Sequence, residues 1–252
     1  MRPVPGLPYR DFFYPLNVFM HILTLEEGGV RYLHYGLFEH ENEPLIEAQE
    51  RSTSLLLSRL PKPPARLLDA GCGIGTTLDR LTREGYDVTG ITPDAQQVAY
   101  IRERYGETVH VEQSRFEDFA GAFDVVLFQE SSQYIDADAL FSHAKELAPR
   151  VLVLDEFALR DVGGLHTREA FVAASQRHGF AIAEELDLSA TAAPTSDYFN
   201  VRFPRFREIL KSDLGLTDAH VDELIESGVK YRQRYRDGDY GYRLFDFRRQ
   251  AL

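Results

Sequence analysis

The chain has 252 residues, 44% hydrophobic and 27% charged, a balance that supports one large folded core and excludes a disordered chain. Lys and Arg number 28 against 40 Asp and Glu, and the net charge of −12 argues against nucleic acid and anionic membrane surfaces as partners. The single cysteine, Cys72, excludes an intramolecular disulfide, and the apolar run Phe12–Leu23, interrupted by Pro15 and Asn17, falls short of a bilayer span; a cytoplasmic protein without membrane association is expected.

Residues 1–10 carry Pro3, Pro5, Gly6 and Pro8 and read as extended chain. From Tyr9 to Arg59 the pattern is helical: Leu45, Ala48, Gln49, Ser52, Leu55, Leu56 and Leu60 contain an apolar subset at helical spacing that stops at the turn Pro61–Pro64. Short apolar runs then alternate with amphipathic stretches, which predicts strands at 66–69, 87–91, 108–112, 123–128, 150–154 and 180–188, with helices at 76–84, 95–105, 137–147 and 167–178. Crossovers of that length make the sheet mainly parallel. Residues 203–236 return to helical spacing, and 240–247 alternate as a last strand. The basic aromatic run Tyr231–Arg236 reads as a solvated helix end rather than a base-stacking surface.

The most informative run is Arg66–Thr77: an apolar strand ending near Asp69, glycines at 71, 73 and 75, and then a helix. Glycines at such a bend let the backbone turn sharply and approach a ligand, and unpaired N–H groups at the helix start favour a carboxylate or phosphate. A dinucleotide fingerprint fails here, because Thr76 or Leu78 falls where its third glycine belongs. The same bend also suits a plain tight turn.

The spacing Asp69-x-Gly71-x-Gly73-x-Gly75 resembles the first motif of class I S-adenosylmethionine-dependent methyltransferases. Tyr86–Gly106 resembles that family's second strand, turn and helix, with Thr92 where an acidic residue usually meets the ribose. Thr92 followed five residues later by Gln97 is similar to the subset that includes tocopherol and sterol methyltransferases and cyclopropane-fatty-acid synthases. A hydroxyl and an amide can serve a ribose edge; an exposed helix cap beside a solvated Gln is the plainer alternative.

The resemblance implies an α/β fold: a Rossmann-like, seven-stranded, mainly parallel sheet with the last strand antiparallel and helices on both faces. It divides the chain into an N-terminal helical cap (1–60), a core (61–190 and 240–252) and a helical lid (191–239). S-adenosyl-L-methionine is the implied cofactor. Its binding set comprises Asp69, Gly71, Cys72, Gly73, Gly75 and Thr76 at the loop, Thr92 and Gln97, the turn Ser114, Arg115 and Phe116, Gln129, and Tyr35 in a Tyr-Gly element that closes over the cofactor.

Loops at the carboxyl ends of parallel strands carry the chemistry in such sheets. The candidate bases are Glu130, Tyr134, His166 and Glu156, each of which equally suits a loop-ordering role. Phe12, Phe199, Phe203 and Phe206 are candidate walls for an apolar or aromatic small-molecule acceptor, or ordinary core. The eight histidines show no paired ligand spacing, so no metal is expected. The expected reaction is methyl transfer by in-line displacement. The alternatives are a non-methylating enzyme on bound S-adenosylmethionine, such as a cyclase or decarboxylase, and a non-catalytic binding subunit; a homodimer is left open.

Overall fold

A computed structural model describes residues 6–40 and 42–250. The chain opens with helices α1 (Leu16–Glu27) and α2 (Leu45–Leu57) and then alternates: β1 (Arg66–Ala70), α3 (Thr76–Arg83), β2 (Asp87–Thr92), α4 (Ala95–Tyr105), β3 (His110–Gln113), β4 (Val125–Gln129), α5 (Ala137–Leu147), β5 (Arg150–Ala158), α6 (Arg168–Arg177) and β6 (Phe180–Asp187). A helical run follows, α7 (Ser189–Ala192), α8 (Pro194–Asn200), α9 (Arg202–Arg205), α10 (Arg207–Leu214) and α11 (Asp218–Arg236), before β7 (Tyr240–Arg249) closes the chain's described part. The strands form one 7-stranded sheet in the order β3-β2-β1-β4-β5-β7-β6, in which β7 runs antiparallel to both neighbours.

Alternation along each strand divides the core into two layers. Val126 and Phe128 face α5 and α6 with Phe141, Phe157, Phe171, Phe245 and Phe247; Val125 and Leu127 face the opposite layer with Leu78, Leu81, Ile101, Tyr242 and Leu244. Phe141 anchors the first layer, its ring 4.9 Å from Phe171 and 5.1 Å from Phe247. Each such buried ring contributes about 1.5–3 kcal/mol relative to exposure.

Most boundaries shift by one or two residues from the sequence expectation, as at β4, which begins at Val125 rather than at 123. Thr108 lies in a tight helical turn, Gly106–Thr108, and β3 begins at His110. More consequentially, β5 runs on to Ala158, because its antiparallel partner extends past the end of β4 and pairs Asp155 with Arg243, Glu156 with Tyr242 and Phe157 with Gly241. Glu156 is therefore a ladder residue, not a loop residue.

The segments expected as a cap and as a lid share their apolar interior. Val18 and Ile22 of α1 are buried with Phe203, Phe206 and Leu210, and Phe12 packs in an adjoining cluster with Met20, Phe199 and Tyr198. Polar bonds reinforce the junction: a buried His21 sits between the Tyr9 hydroxyl at 2.9 Å and the Asp213 carboxylate at 3.1 Å, and Glu26 pairs with Arg202 and, nearer the surface, Arg205.

Candidate active site

The glycine bend lies at the carboxyl end of β1. All three glycines have positive φ, +81° at Gly71, +56° at Gly73 and +79° at Gly75, a region that side chains resist. Gly71 is also confined: a Cβ there would lie 2.4 Å from the Cβ of Ser131, so the bend touches the loop after β4. The Gly71 and Cys72 N–H groups both donate to the Ile91 carbonyl. The open donors are further along, where among the described residues Gly73, Ile74, Thr76 and Thr77 have no backbone acceptor. The Cys72 side chain is buried, its sulfur packed at Gly90, and burial raises its thiol well above the usual range; only its backbone belongs to the bend.

Asp69, at 3% exposure, leaves Oδ2 without a hydrogen-bond partner, and burial pushes its carboxyl up to about 7. An orphaned buried carboxylate oxygen costs free energy unless a donor arrives. The ammonium or an adjoining donor of an amino-acid-like ligand would provide one, so the residues present fit the cofactor that the motif implies.

At the end of β2, Thr92 and Gln97 are both buried, and the Thr92 hydroxyl donates to Gln97 Oε1 at 2.6 Å. The helix cap is Asp94, whose side chain accepts the Gln96 N–H, so the exposed-cap alternative does not describe Thr92. At the end of β3, the Ser114 N–H donates to the Thr92 carbonyl. Arg115 points to the surface and pairs with Glu117 at 2.8 Å, whereas the Phe116 ring is core, 5.0 Å from Phe128. Among these three only backbone faces the strand ends.

The loop after β4 brings together the groups of most chemical interest. Glu130 has φ +56°, the only positive φ at a non-glycine among the described residues, and such strain persists where the surroundings impose it. Its Oε1 accepts the Tyr35 N–H at 2.6 Å and the Tyr242 hydroxyl at 2.6 Å. Glu156 accepts the Tyr235 hydroxyl at 2.7 Å, and Asp155 accepts the Ser132 N–H and hydroxyl at 2.9 and 2.6 Å. Burial raises Glu130 well above the usual carboxyl range, with the neighbouring Glu156 adding to it; Glu156 is pushed up to about 7 and Asp155 to about 6 by burial. The Tyr35 ring stacks on Tyr242 at 5.7 Å and 7°, and lies 6.4 Å from Tyr235.

Two other candidates lie outside this hydrogen-bonded group. Tyr134 is 80% exposed on the rim. His166 directs Nε2 at the Ile135 carbonyl at 2.8 Å, and its backbone N–H donates to Gln133 Oε1 at 2.7 Å, a loop-ordering role. The phenylalanine walls are core: Phe12, Phe203 and Phe206 are nearly inaccessible, and Phe19 packs edge-on against Phe199 and Phe203. Tyrosines and carboxylates line the site instead.

Tyr231 and Tyr235 were expected in a solvated helix end, yet Tyr235 reaches Glu156 and Tyr231 is partly buried, while Arg232 and Arg234 of the same helix, also partly buried, pair with Asp197 and Asp239. Their spacing of four on one helix face was the available signal. Tyr242 was hidden in a strand pattern; a buried tyrosine needs a partner for its hydroxyl, and the partner is Glu130. Among the described residues, no group of three or more His, Cys, Asp or Glu is arranged to hold a metal, and no helix is long and apolar enough to cross a membrane.

Residues 67–152 match a family model described as a methyltransferase domain. No curated protein matches the chain. Among solved structures, a cyclopropane synthase from Mycobacterium tuberculosis superposes with a TM-score of 0.76 at 19% identity, over 86% of this chain and 90% of that one. The 4+2 cyclase SpnF gives 0.78 at 21% identity over 100% of both chains. Geranyl diphosphate C-methyltransferase from Streptomyces coelicolor A3(2), a complex with Mg2+, geranyl diphosphate and S-adenosyl-L-homocysteine, gives 0.67 at 19% over 98% of this chain and 100% of that one. At these identities the likeness is one of fold.

Proposed function

We propose that this chain, whose residues 67–152 match a methyltransferase domain, is a class I S-adenosylmethionine-dependent enzyme that methylates a small-molecule acceptor held between the glycine bend and the carboxyls of Glu130 and Glu156. The observation that carries the reading is the contact of Gly71 with Ser131, because it sets the cofactor bend directly against the loop that bears Glu130.

The open donors at Gly73, Ile74, Thr76 and Thr77, with the orphaned oxygen of Asp69, would hold the amino-acid end of the cofactor. Thr92 with Gln97 would meet the ribose, and the backbone at Ser114–Phe116 the adenine. The bound cofactor supplies an electrophilic methyl group on a sulfonium. Tyrosine faces around Tyr35 favour a positive centre. The protein's own task is then to hold the acceptor in line, about 3 Å from that methyl, and to exclude water.

Burial raises both glutamates above the usual carboxyl range, and the charge of Glu156, once ionised, raises Glu130 further above its own ordinary value. Glu156, at about 7, is the one better placed to ionise and to take a proton from a hydroxyl or an acidic carbon; Glu130 keeps its proton and orients. The acceptor is then an apolar or aromatic molecule that carries a proton-bearing group at its reacting end, the end met by the carboxyls. The chain's net charge of −12 favours a small-molecule over a nucleic-acid acceptor.

The test is incubation with S-adenosylmethionine and a panel of phenols, amines and activated carbon acids, with detection of S-adenosylhomocysteine and methylated product. Cofactor bound without any turnover across the panel would favour a non-methylating enzyme. No binding at millimolar cofactor, by calorimetry, would sink the reading.

A further inference from the structure

A continuous line of hydrogen bonds, buried at Thr53 and His34, crosses from the glycine bend to the N-terminal segment. The Thr77 hydroxyl, in the first turn of α3, donates to Gln129 Oε1 at 2.9 Å, and Gln129 Nε2 donates to Thr53 Oγ1 at 3.3 Å. Thr53 then meets His34 Nε2 at 2.8 Å, and His34 Nδ1 meets the Tyr35 carbonyl at 2.9 Å. A carbonyl can only accept, so Nδ1 carries the proton, Nε2 accepts from Thr53, and every member is satisfied in one direction. Burial, which holds the His34 imidazole down to about 4, agrees with a neutral ring.

The line closes on itself. Gln129 reaches the carbonyl of Tyr35 through this relay, while the next residue, Glu130, accepts the N–H of Tyr35 directly. Adjacent residues at the end of β4 thus grip both polar groups of Tyr35. The same segment lies across the bend: Thr76 donates to the Arg31 carbonyl, and a Cβ at Gly73 would lie 3.6 Å from Leu33. It is also fixed to the helical layer, where the Gly36 N–H donates to Thr195 at 3.0 Å.

We infer that His34 is a positioning residue that ties the segment bearing Tyr35 to the first turn after the glycine bend, so that the segment retains a ligand seated on that bend. The inference rests on reading the bend as the cofactor site. Tyr35 touches the carboxyl pair and packs on Tyr242; His34 acts only through the Tyr35 carbonyl. Its effect should therefore fall on ligand release more than on capture, since the tie acts by holding the segment over a ligand already seated.

The experiment measures association and dissociation of S-adenosylhomocysteine by stopped flow or surface resonance, using the full chain and the variants His34→Phe, His34→Gln and Thr53→Val. The first of these puts a ring in the same space without either bond; a glutamine can donate and accept across the same gap; Thr53→Val keeps shape and cuts the relay. Dissociation about tenfold faster in His34→Phe and Thr53→Val, the size of one lost hydrogen bond, with His34→Gln near wild type, supports the inference. Wild-type release rates in both disrupting variants overturn it, as does a loss that His34→Gln shares. If His34→Phe does not fold, Thr53→Val decides alone. No binding by the wild type would overturn the parent reading and this inference together, whereas binding that Thr53→Val leaves untouched overturns only this inference.

Discussion

The Tyr242 hydroxyl donates to the Glu130 carboxylate at 2.6 Å, while Tyr242 itself stands opposite Glu156 in the β5–β7 ladder. One tyrosine on the antiparallel strand therefore lies beside both carboxyls, and the two glutamates have different surroundings. Glu130 also holds the Tyr35 N–H, and burial raises it well above its ordinary value. A glutamine mimics a protonated glutamate, so Glu130→Gln should retain turnover within about tenfold, while Glu156→Gln should lose about 100-fold or more. Rates of S-adenosylhomocysteine formation with the identified acceptor decide it; the reverse ranking would make Glu130 the base.

The raised carboxyls also set a direction for stability with pH. Asp69 at about 7, Asp155 at about 6 and Glu156 at about 7 lie above their ordinary values of 3.8, 3.8 and 4.5. Between those limits the native state holds more protons than the unfolded chain, so this contribution is complete below about pH 4 and is lost as pH rises to about 7. Carboxyls held below their ordinary values by cations, such as Asp138 beside Arg177 and Glu185 beside Arg168, act only at the acid end. The melting temperature should fall from pH 5 to pH 7.5 in thermal scans, and Asp69→Asn should flatten part of the slope. A melting temperature that climbed across that window would contradict the assignment.

Thr92 and Gln97 bond each other in a buried site, which separates structure from ligand contact in one double-mutant cycle. Thr92→Val or Gln97→Leu leaves one polar group unpaired and should cost about 1–2 kcal/mol in urea unfolding. The double variant removes both partners and should recover most of that loss. Affinity for S-adenosylhomocysteine should stay low in all three; recovery of affinity in the double variant would make the pair purely structural.

How far these features could be read beforehand follows from the range of the signals. Local periodicity and the glycine spacing are short-range, and they located the strands of the sheet and the bend at Asp69–Gly75, whereas Thr92 and Gln97 were singled out by family resemblance and their mutual bond by the fold. The end of β5 was not local: Asp155–Ala158 is extended because β7, some ninety residues on, pairs with it, and that pairing turned a supposed loop acid, Glu156, into a fixed one. His34, Thr53 and Thr77 carry no recognisable spacing, since their relay joins three separate segments. Glu130 was legible by its place after a parallel strand, but its bonds to Tyr35 and Tyr242 depend on tertiary closure.

Phe203 tests the helical layer in the same spirit. An aromatic residue in a lid can face the acceptor or hold the lid down, and at 2% exposure, 5.8 Å from Phe19 of α1, Phe203 does the second. Truncation to Ala should therefore cost about 3–4 kcal/mol of unfolding free energy by leaving a cavity between α1 and α9. Acceptor KM, measured below the lowered melting temperature, should change little, because the ring contributes packing and no contact with the carboxyls. A large rise in KM with unchanged stability would place Phe203 in the acceptor site and would mean that the helical layer opens there in solution.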